Sequence, residues 1–296
     1  MTRRVLVTGA TGQLGTELVR AAWPSGWQAV ALSRDALDLA DPAAIAAKVA
    51  SEPWAAVVNA AAYTAVDKAE SDAVAAWRIN ALAPAAFGAA CAAADIPLVQ
   101  LSTDYVFAGD KMGAWEVGDP VAPLGVYGAS KLGGELAVRT SGARHAIVRT
   151  AWVVSPHGSN FVKTMLRAAA ERSSLRIVGD QIGSPTAASD LARALIGIVQ
   201  RLVQDAAAPT GTFHFSNAGA VSWAGFASEI FRQSGLRGGP VAQVEVIGTA
   251  DYPTPARRPA NSLLDHTAIT AAYGITPRQW PQALADILDE LIGTVK

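Results

Sequence analysis

Several things are scarce in this 296-residue sequence, and each shortage excludes a class of protein. Cys91 is the single cysteine, so no disulfide can form within the chain, which suits a reducing cytoplasm. Charged residues make up 17% of the chain and the formal net charge is −1, so nothing predicts binding to nucleic acid or to an anionic membrane. Apolar runs are too short for a signal peptide or for a membrane span of roughly 18 residues.

Histidines are also few, and their spacing argues against a metal-dependent hydrolase. No two of the four lie at the short separations that are typical of metal ligands.

Half of the chain (51%) is apolar, which is enough for one large domain or two smaller ones. Cys91 lies in an alanine-rich run and is predicted to be a small buried helix residue.

Strands and helices alternate in the first half of the sequence. Short, continuously apolar strands such as "RVLVT" and "AAVVN" are separated by segments of helical periodicity, one of them with Asp41 as N-cap and Pro42 in its first turn. This predicts an α/β fold with a Rossmann-type doubly wound parallel sheet. After about residue 152 the regular alternation of strands and helices is lost. We therefore predict a dinucleotide-binding domain over 1–152 and mainly a smaller substrate-binding lobe over 153–296, with parts of the later chain returning to the first domain.

The glycines of "VTGATGQLG" follow the first strand and open the first helix. Gly9 permits a tight turn, Gly12 lets backbone N–H groups approach a pyrophosphate, and Gly15 allows the helix to pack closely on the strand. The positive end of the helix dipole then faces the phosphates. The spacing G-x-x-G-x-x-G resembles that of extended short-chain dehydrogenases/reductases, and we assign Thr11, Gln13 and Leu14 of the same turn to the cofactor site.

The end of the second strand bears on the choice of cofactor. An acid that would bind the ribose 2′-hydroxyl of NADH is expected here, but the strand ends in Ser33 and Arg34, which suit a 2′-phosphate. Asp35, the next residue, weakens that preference. We expect NADPH to be preferred and NADH to be accepted. Asp38 and Leu39 resemble the acidic and apolar pair that flanks adenine in this superfamily.

A candidate proton donor lies in "VYGASKLGGE". Tyr127 and Lys131 are four residues apart, so they share one face of a helix, and the lysine ammonium is expected to lower the tyrosine pKa from about 10. An accidental pair on a helix surface is the alternative. Thr103 ends the predicted strand of "LVQLSTDYVF", at the edge where doubly wound sheets bind ligands. Together with the glycine turn, this favours a catalytic group of Thr103, Tyr127 and Lys131.

More specific motifs run over nearly the whole chain: "VNAAAYTAVDKAE", "LSTDYVFAG", "YGASKLGGE", "DQIGSPT" and "RPANSLLD". By these motifs the sequence resembles the dTDP-4-dehydrorhamnose reductases. The resemblance implies that the chain reduces the C4 ketone of dTDP-4-dehydro-L-rhamnose with NADPH or NADH. The product would be dTDP-L-rhamnose, a precursor of bacterial surface polysaccharide.

The resemblance also implies roles for individual residues. Tyr127 would protonate the C4 oxygen, Lys131 would hold the nicotinamide ribose, and Thr103 would hydrogen-bond the carbonyl oxygen. Asn80 either lies near the site or only caps backbone groups. The cofactor would also contact Ala60, Ala61, Ala62 and Tyr63. The substrate would contact Val66, Asp67, Thr103, Asp104, Tyr105, Trp152, Gln181 and Arg258, with Trp152 stacking on a flat ring.

In one respect the sequence departs from the family pattern. Some members are described as dimers whose C-terminal acids share a magnesium ion. Here the last helix carries Asp286, Asp289 and Glu290, but Asp190 stands where a glutamate partner is expected. The sequence therefore leaves a homodimer open and gives magnesium no support, and we predict a solvated helix face and no metal site.

Other functions remain open at this point, among them another deoxysugar-nucleotide ketoreductase of the same superfamily. A nucleotide-sugar epimerase of the same superfamily would share the glycine turn and the Tyr/Lys pair, but would retain and recycle its cofactor. A non-catalytic regulatory subunit on this fold would tolerate loss of the proton donor, which this chain retains.

Overall fold

A computed structural model describes residues 2–294 of the chain. The first half contains β1 (Arg3–Thr8), α1 (Gln13–Arg20), β2 (Trp27–Leu32), α2 (Pro42–Ala50), β3 (Ala56–Asn59), α3 (Val66–Ala69), α4 (Ala73–Trp77), a π-helical turn (Arg78–Leu82), α5 (Ala83–Ala93), β4 (Leu98–Thr103), a 3₁₀ turn (Asp104–Val106), α6 (Val126–Arg139) and β5 (His145–Thr150).

The second half is built from shorter strands and long helices. It contains β6 (Val153–Val154), α7 (Phe161–Glu171), β7 (Ser174–Val178), β8 (Ile182–Gly183), β9 (Thr186–Ala187), α8 (Ala188–Gln204), β10 (Gly211–His214), β11 (Val221–Ser222), α9 (Trp223–Leu236), β12 (Gln243–Ile247), a 3₁₀ turn (Thr249–Asp251), α10 (Thr267–Tyr273) and α11 (Trp280–Leu291).

A six-stranded sheet in the order β10-β5-β4-β3-β1-β2 forms the centre of the fold, and all its neighbouring strands are parallel. Successive strand residues point to opposite faces, so both faces need a cover. Val5 and Val7 pack towards α1 and α8, whereas Leu6 packs towards α2 and α5. The predicted doubly wound α/β fold is confirmed.

The later chain contributes to this sheet as well as to a second core. Strand β10 pairs with β5, and the buried α8 residues Leu191 and Leu195 join the core on one sheet face. Around α7, α9 and α11, a separate apolar core contains Phe226 and Leu288. The division into domains at residue 152 stays a prediction, since β10 and α8 belong to the first core.

Several local predictions are confirmed. Asp41 caps α2 by accepting hydrogen bonds from the N–H groups of Ala43 and Ala44. Cys91 is fully buried in α5. A π-helical turn at Arg78–Leu82 joins α4 to α5, a feature that is often found at functional sites. Among the described residues, none of the helices has the length and apolarity needed to cross a membrane.

Candidate active site

A cavity of about 470 Å³ opens at the carboxyl ends of β1, β2 and β3. This is the sheet edge at which doubly wound folds bind nucleotides. The cavity is therefore the candidate cofactor site. Nine of the residues predicted to contact the cofactor line it: Gly9, Thr11, Ser33, Arg34, Asp38, Leu39, Ala61, Ala62 and Tyr63.

The glycine turn leaves no room for side chains on its inner side. Gly9 has φ +76°, which favours glycine, and a Cβ there would lie 3.1 Å from the Ala61 backbone. A Cβ on Gly15 would lie 2.0 Å from the Gly9 carbonyl oxygen, whereas a Cβ on Gly12 would lie 3.3 Å from it. Gly15 is thus needed for helix–strand packing, and Gly12 keeps the start of α1 open to a ligand.

Two predicted cofactor residues of this turn direct their side chains elsewhere. Leu14 is buried in the core beneath the sheet. The Gln13 amide donates to the Val153 carbonyl (3.2 Å) and accepts from Ser155 (3.0 Å) and Asn160 (2.9 Å). Contacts of Gln13 and Leu14 with a cofactor would therefore have to come from their main chain, since the Gln13 side chain connects the turn to the loop after β6.

At the end of β2, Arg34 is exposed at the cavity and Ser33 is half-buried beside it. Asp38 accepts a hydrogen bond from the Ala40 N–H at 2.9 Å, which shapes its own turn, and Leu39 is buried below. A guanidinium at the cavity wall is suited to a phosphate group.

Asn80 connects the third strand loop to the helix of Tyr127. Its Oδ1 accepts from the Tyr63 N–H at 2.8 Å, and its Nδ2 donates to the Tyr63 carbonyl at 3.1 Å and to Ser130 Oγ at 3.0 Å. The interpretation of Asn80 as a backbone-bonding residue is therefore confirmed, in a position that orders the cavity wall. Ala60 lies in the same loop, directly after β3.

Thr103, Tyr127 and Lys131 lie close together where β4 ends and α6 begins. Thr103 is the last residue of β4, and Tyr127 and Lys131 lie in the first two turns of α6. The Lys131 Nζ donates to the Leu101 carbonyl of β4 at 2.6 Å. Thr103 Oγ1 donates to Asp104 Oδ1 at 2.9 Å, and the Tyr127 ring meets the Tyr105 ring edge-on at 5.5 Å.

Burial controls the ionisation of these groups. It raises the pKa of Tyr127 to about 12, against a smaller lowering by the Thr103 hydroxyl, and it lowers the pKa of Lys131 to about 8. The prediction that Lys131 lowers the pKa of Tyr127 is wrong for this structure, because desolvation of the phenolate dominates and the ammonium bonds to the Leu101 carbonyl. Tyr127 is consequently a neutral phenol that holds a transferable proton.

Asp104 is buried next to this group. Its burial raises its pKa to about 6, although the Thr103 hydroxyl bonded to it favours the carboxylate. Burial also raises the pKa of Tyr105, and the charge of Asp104 adds to that rise. Tyr105 contacts Tyr127 directly, and the assignment of Asp104 and Tyr105 to the substrate stays a prediction.

A second cavity of about 750 Å³ lies on the lobe side of Tyr105. Three predicted substrate residues line it, namely Tyr105, Gln181 and Arg258. Most of its other wall residues were not predicted, because they lie far apart in the chain and only folding brings them together; among them are Phe161, Arg172, Arg176, Trp223 and Tyr252.

The remaining predicted substrate residues have structural partners. Trp152 adopts φ +49° and stacks on Trp223 with ring centroids 3.5 Å apart, so in this structure its stacking partner is Trp223 rather than a ligand. Asp67 forms an ion pair with Arg258, at 2.9 Å between Oδ2 and Nη2. Val66 is the first residue of α3 and is half-buried.

Each acid of the last helix is paired with an arginine. Asp286 pairs with Arg278 at 2.6 Å, and Arg278 also bonds Asp190 at 2.8 Å. Asp289 and Glu290 pair with two other arginines, Arg237 and Arg20. Over residues 2–294, no three His, Cys, Asp or Glu side chains converge as metal ligands.

Comparison with known proteins gives the family. The family model described as the RmlD substrate binding domain matches residues 3–292. A dTDP-4-dehydrorhamnose reductase from Burkholderia thailandensis is 42% identical over 98% of this chain and 99% of its own length. The chain belongs to the dTDP-4-dehydrorhamnose reductase family.

Solved structures of dTDP-4-dehydrorhamnose reductases have the same fold as this chain. The enzyme from Clostridium acetobutylicum is 35% identical, with a TM-score of 0.91 over 97% of this chain and 99% of that one. The enzyme from Bacillus anthracis, solved in complex with NADP, is 33% identical, with a TM-score of 0.90 over 98% of this chain and 100% of that one. The fold of the family is therefore shared over the whole described chain.

Proposed function

We propose that this chain reduces the C4 ketone of dTDP-4-dehydro-L-rhamnose to dTDP-L-rhamnose with NADPH, and accepts NADH less well. The observation that supports this most directly is the proximity of Thr103, Tyr127 and Lys131 at the end of β4 and the start of α6, next to Tyr105 of the second cavity. One cavity contains the glycine turn, and the other contains arginines and aromatic rings. The relatives' names supply the substrate, and the arrangement of side chains supplies the chemistry.

The residues of the first cavity fit a dinucleotide. The open turn at Gly12 and the N-terminus of α1 suit a pyrophosphate. Ser33 and Arg34 suit the 2′-phosphate of NADPH, and Lys131, from the side of α6, would hold the ribose next to the nicotinamide. When bound, NADPH supplies a hydride.

Tyr127 serves as the general acid in this proposal. Because its pKa lies near 12, it is neutral over the whole physiological range and can donate its proton to the ketone oxygen as that oxygen becomes basic. The Thr103 hydroxyl donates to Asp104 in this structure, so a substrate carbonyl would have to compete with Asp104 for that hydrogen. The ring of Tyr105 restricts the approach to Tyr127 from the lobe side.

The second cavity suits a pyrimidine nucleoside diphosphate attached to a sugar. Arg172, Arg176 and Arg258 can neutralise a diphosphate, and the rings of Trp223 and Tyr252 can pack on a base. Its location beside Tyr105 would place the sugar next to Tyr127. A homodimer stays a prediction.

The deciding experiment follows both reactants at once. The purified protein is incubated with dTDP-4-dehydro-L-rhamnose and NADPH, loss of NADPH absorbance is recorded, and the product is identified by NMR. One dTDP-L-rhamnose formed per NADPH consumed supports the proposal. An isomer formed without net NADPH consumption would instead identify an epimerase, and cofactor binding without any conversion would favour a regulatory subunit.

A further inference from the structure

Behind the Tyr127/Lys131 pair, a fully buried carboxylate receives four hydrogen bonds. Glu135 Oε1 accepts from Ser102 Oγ at 2.6 Å and from Arg149 Nε at 2.8 Å. Its Oε2 accepts from Arg149 Nη2 at 2.7 Å and from Arg139 Nη2 at 2.8 Å. Neither Glu135 nor Arg149 is more than 1% exposed. A charge buried this deeply is costly unless every oxygen is bonded, and here each oxygen has two donors.

These bonds fix the position of α6 on the sheet. Lys131 bonds the carbonyl of Leu101, and Glu135, one turn further along the same helix face, bonds the side chain of Ser102. The next residue of that strand is Thr103. Arg149, opposite Ser102 in the β4–β5 register, bonds Glu135 from the neighbouring strand. The helix is thus tied to two strands directly behind the reacting groups.

Arg149 is the buried one of the two arginines that pair with Glu135, and it has few other charged neighbours. The Arg149 guanidinium lies 4.9 Å from the centre of the Phe107 ring, and its Nη1 lies 3.3 Å from His214 Nε2. Burial, and then the charge of Arg149, lower the pKa of His214 to about 3, so that imidazole is neutral. Glu135 is therefore the anion that compensates Arg149.

Lys131 is a third cation near this carboxylate, after Arg149 and Arg139. Burial lowers the pKa of Lys131 to about 8, and the charge of Glu135 opposes that lowering. Charged or titratable groups also occur on the other segments that pack against α6: Asp67 and Lys68 on α3, Glu70 and Asp72 between α3 and α4, Arg78 on the π-helical turn, Cys91 on α5, Asp104 and Tyr105 on the 3₁₀ turn, and His145 and Arg149 on β5. The charge that raises the pKa of Lys131 comes from Glu135.

We propose that Glu135 is a positioning residue for the reduction: it ties the helix of Tyr127 and Lys131 to the strand of Thr103, and it places a negative charge one helical turn from the Lys131 ammonium. The expected effect of Glu135 on the reaction rate rests on the proposed function. The expected effect of Glu135 on cofactor binding does not, because Lys131 would contact the cofactor whichever sugar is reduced. Misplacement of reacting groups by about 1 Å costs about 10²-fold in rate, so loss of the hydrogen bonds of Glu135 should also lower kcat.

The test measures NADPH affinity against pH by calorimetry in Glu135→Gln and in Glu135→Asp. In the wild type, affinity should fall as Lys131 loses its proton, with a midpoint near its pKa of about 8. Glu135→Gln should move this midpoint down by about 1 to 3 pH units, since an opposite charge one turn away is lost. Glu135→Asp keeps the charge and should retain the midpoint while lowering kcat.

Glu52→Gln is the matched control. Glu52 also bonds a lysine and an arginine, Lys48 and Arg4, but at the far end of α2, so its loss should leave the midpoint unchanged. Circular dichroism and thermal unfolding establish that each variant is folded. If Glu135→Gln does not fold because Arg149 is left unpaired, Glu135→Gln/Arg149→Gln removes both charges. A smaller shift in the same downward direction is then expected, because loss of the Arg149 cation partly offsets loss of the Glu135 anion.

A midpoint that stays at the wild-type pH in a folded Glu135→Gln protein, or in the double variant, would overturn the proposal. So would a Glu135→Asp midpoint that falls well below that of the wild type. A wild type that binds NADPH but reduces no deoxysugar nucleotide would refute the proposed function and leave this binding test intact.

Discussion

Asp67 and Arg258, which lie 191 positions apart in the chain, bind each other through two parallel hydrogen bonds of 2.9 and 3.1 Å. The pair connects α3, beside the first cavity, to the loop that lines the second. It lowers the pKa of Asp67 and raises that of Arg258. A substrate diphosphate that binds Arg258 must therefore displace Asp67 or share the Arg258 guanidinium with it.

Arg258→Ala should raise the KM for the nucleotide sugar by roughly 10- to 100-fold, because a charge-assisted hydrogen bond contributes about 1.5–3 kcal/mol. Asp67→Asn should lower KM or leave it unchanged, since it frees the guanidinium. Arg257→Ala, at the exposed neighbouring position, is the control and should have little effect. Steady-state kinetics with saturating NADPH measure all three. Equal KM values for Arg258→Ala and Arg257→Ala would remove Arg258 from the substrate site.

Tyr127→Phe should lower kcat by about 10²–10⁴-fold, because it removes the general acid and keeps the ring. NADPH affinity, measured by calorimetry, should barely change. Tyr273→Phe removes another partly buried phenol, far from the site on α10, and should retain full activity. Near wild-type turnover by Tyr127→Phe would mean that the Tyr/Lys spacing is an accident of the helix.

The alkaline side of the pH profile should report Lys131 rather than Tyr127. The pKa of Tyr127, near 12, keeps its phenol neutral well above the working range, so deprotonation of the phenol cannot limit the rate at pH 9. The pKa of Lys131 lies near 8, so its ammonium is present below that pH and lost as pH rises through it. We expect kcat/KM to fall above about pH 8 and this fall to be absent in Lys131→Met, whose activity is low at every pH. A fall that begins only above pH 10 would contradict this assignment.

The two later glycines of the turn should respond differently to substitution. Gly15→Ala forces a Cβ to 2.0 Å from a backbone oxygen, so we expect a loss of unfolding free energy of about 1–3 kcal/mol or more. Gly12→Ala meets only a 3.3 Å contact, so it should fold and lose NADPH affinity. Thermal unfolding and calorimetry separate the two effects. Full NADPH affinity in Gly12→Val, where the side chain is larger, would show that the pyrophosphate binds elsewhere.

Arg34→Ala should weaken NADPH binding by about 10-fold or more and leave NADH binding nearly unchanged, because only NADPH carries the 2′-phosphate. Arg3→Ala, an exposed arginine on β1 outside the cavity, serves as the control. Titration of both cofactors against the three proteins tests this. The assignment of Arg34 fails if the affinity ratio of NADPH to NADH stays at the wild-type value.

The sequence by itself determined the parts of this protein that depend on local pattern. Apolar strands alternating with helical periodicity required a covered parallel sheet, and the positions of Gly9, Gly12 and Gly15 predicted the turn before the structure placed it at the first cavity. The spacing of Tyr127 and Lys131 likewise put both on one helix face. Such features involve residues close together in the chain, so their geometry can be deduced from spacing alone.

Only the tertiary structure decided what surrounds those residues. Desolvation reverses the expected pKa shift of Tyr127, and the Lys131 ammonium bonds a strand carbonyl 30 positions earlier in the chain. Trp152 stacks on Trp223, and Arg278 separates Asp190 from Asp286. Burial and partners from distant segments set these properties, because desolvation and Coulomb interactions depend on distance in space, and sequence separation does not give that distance.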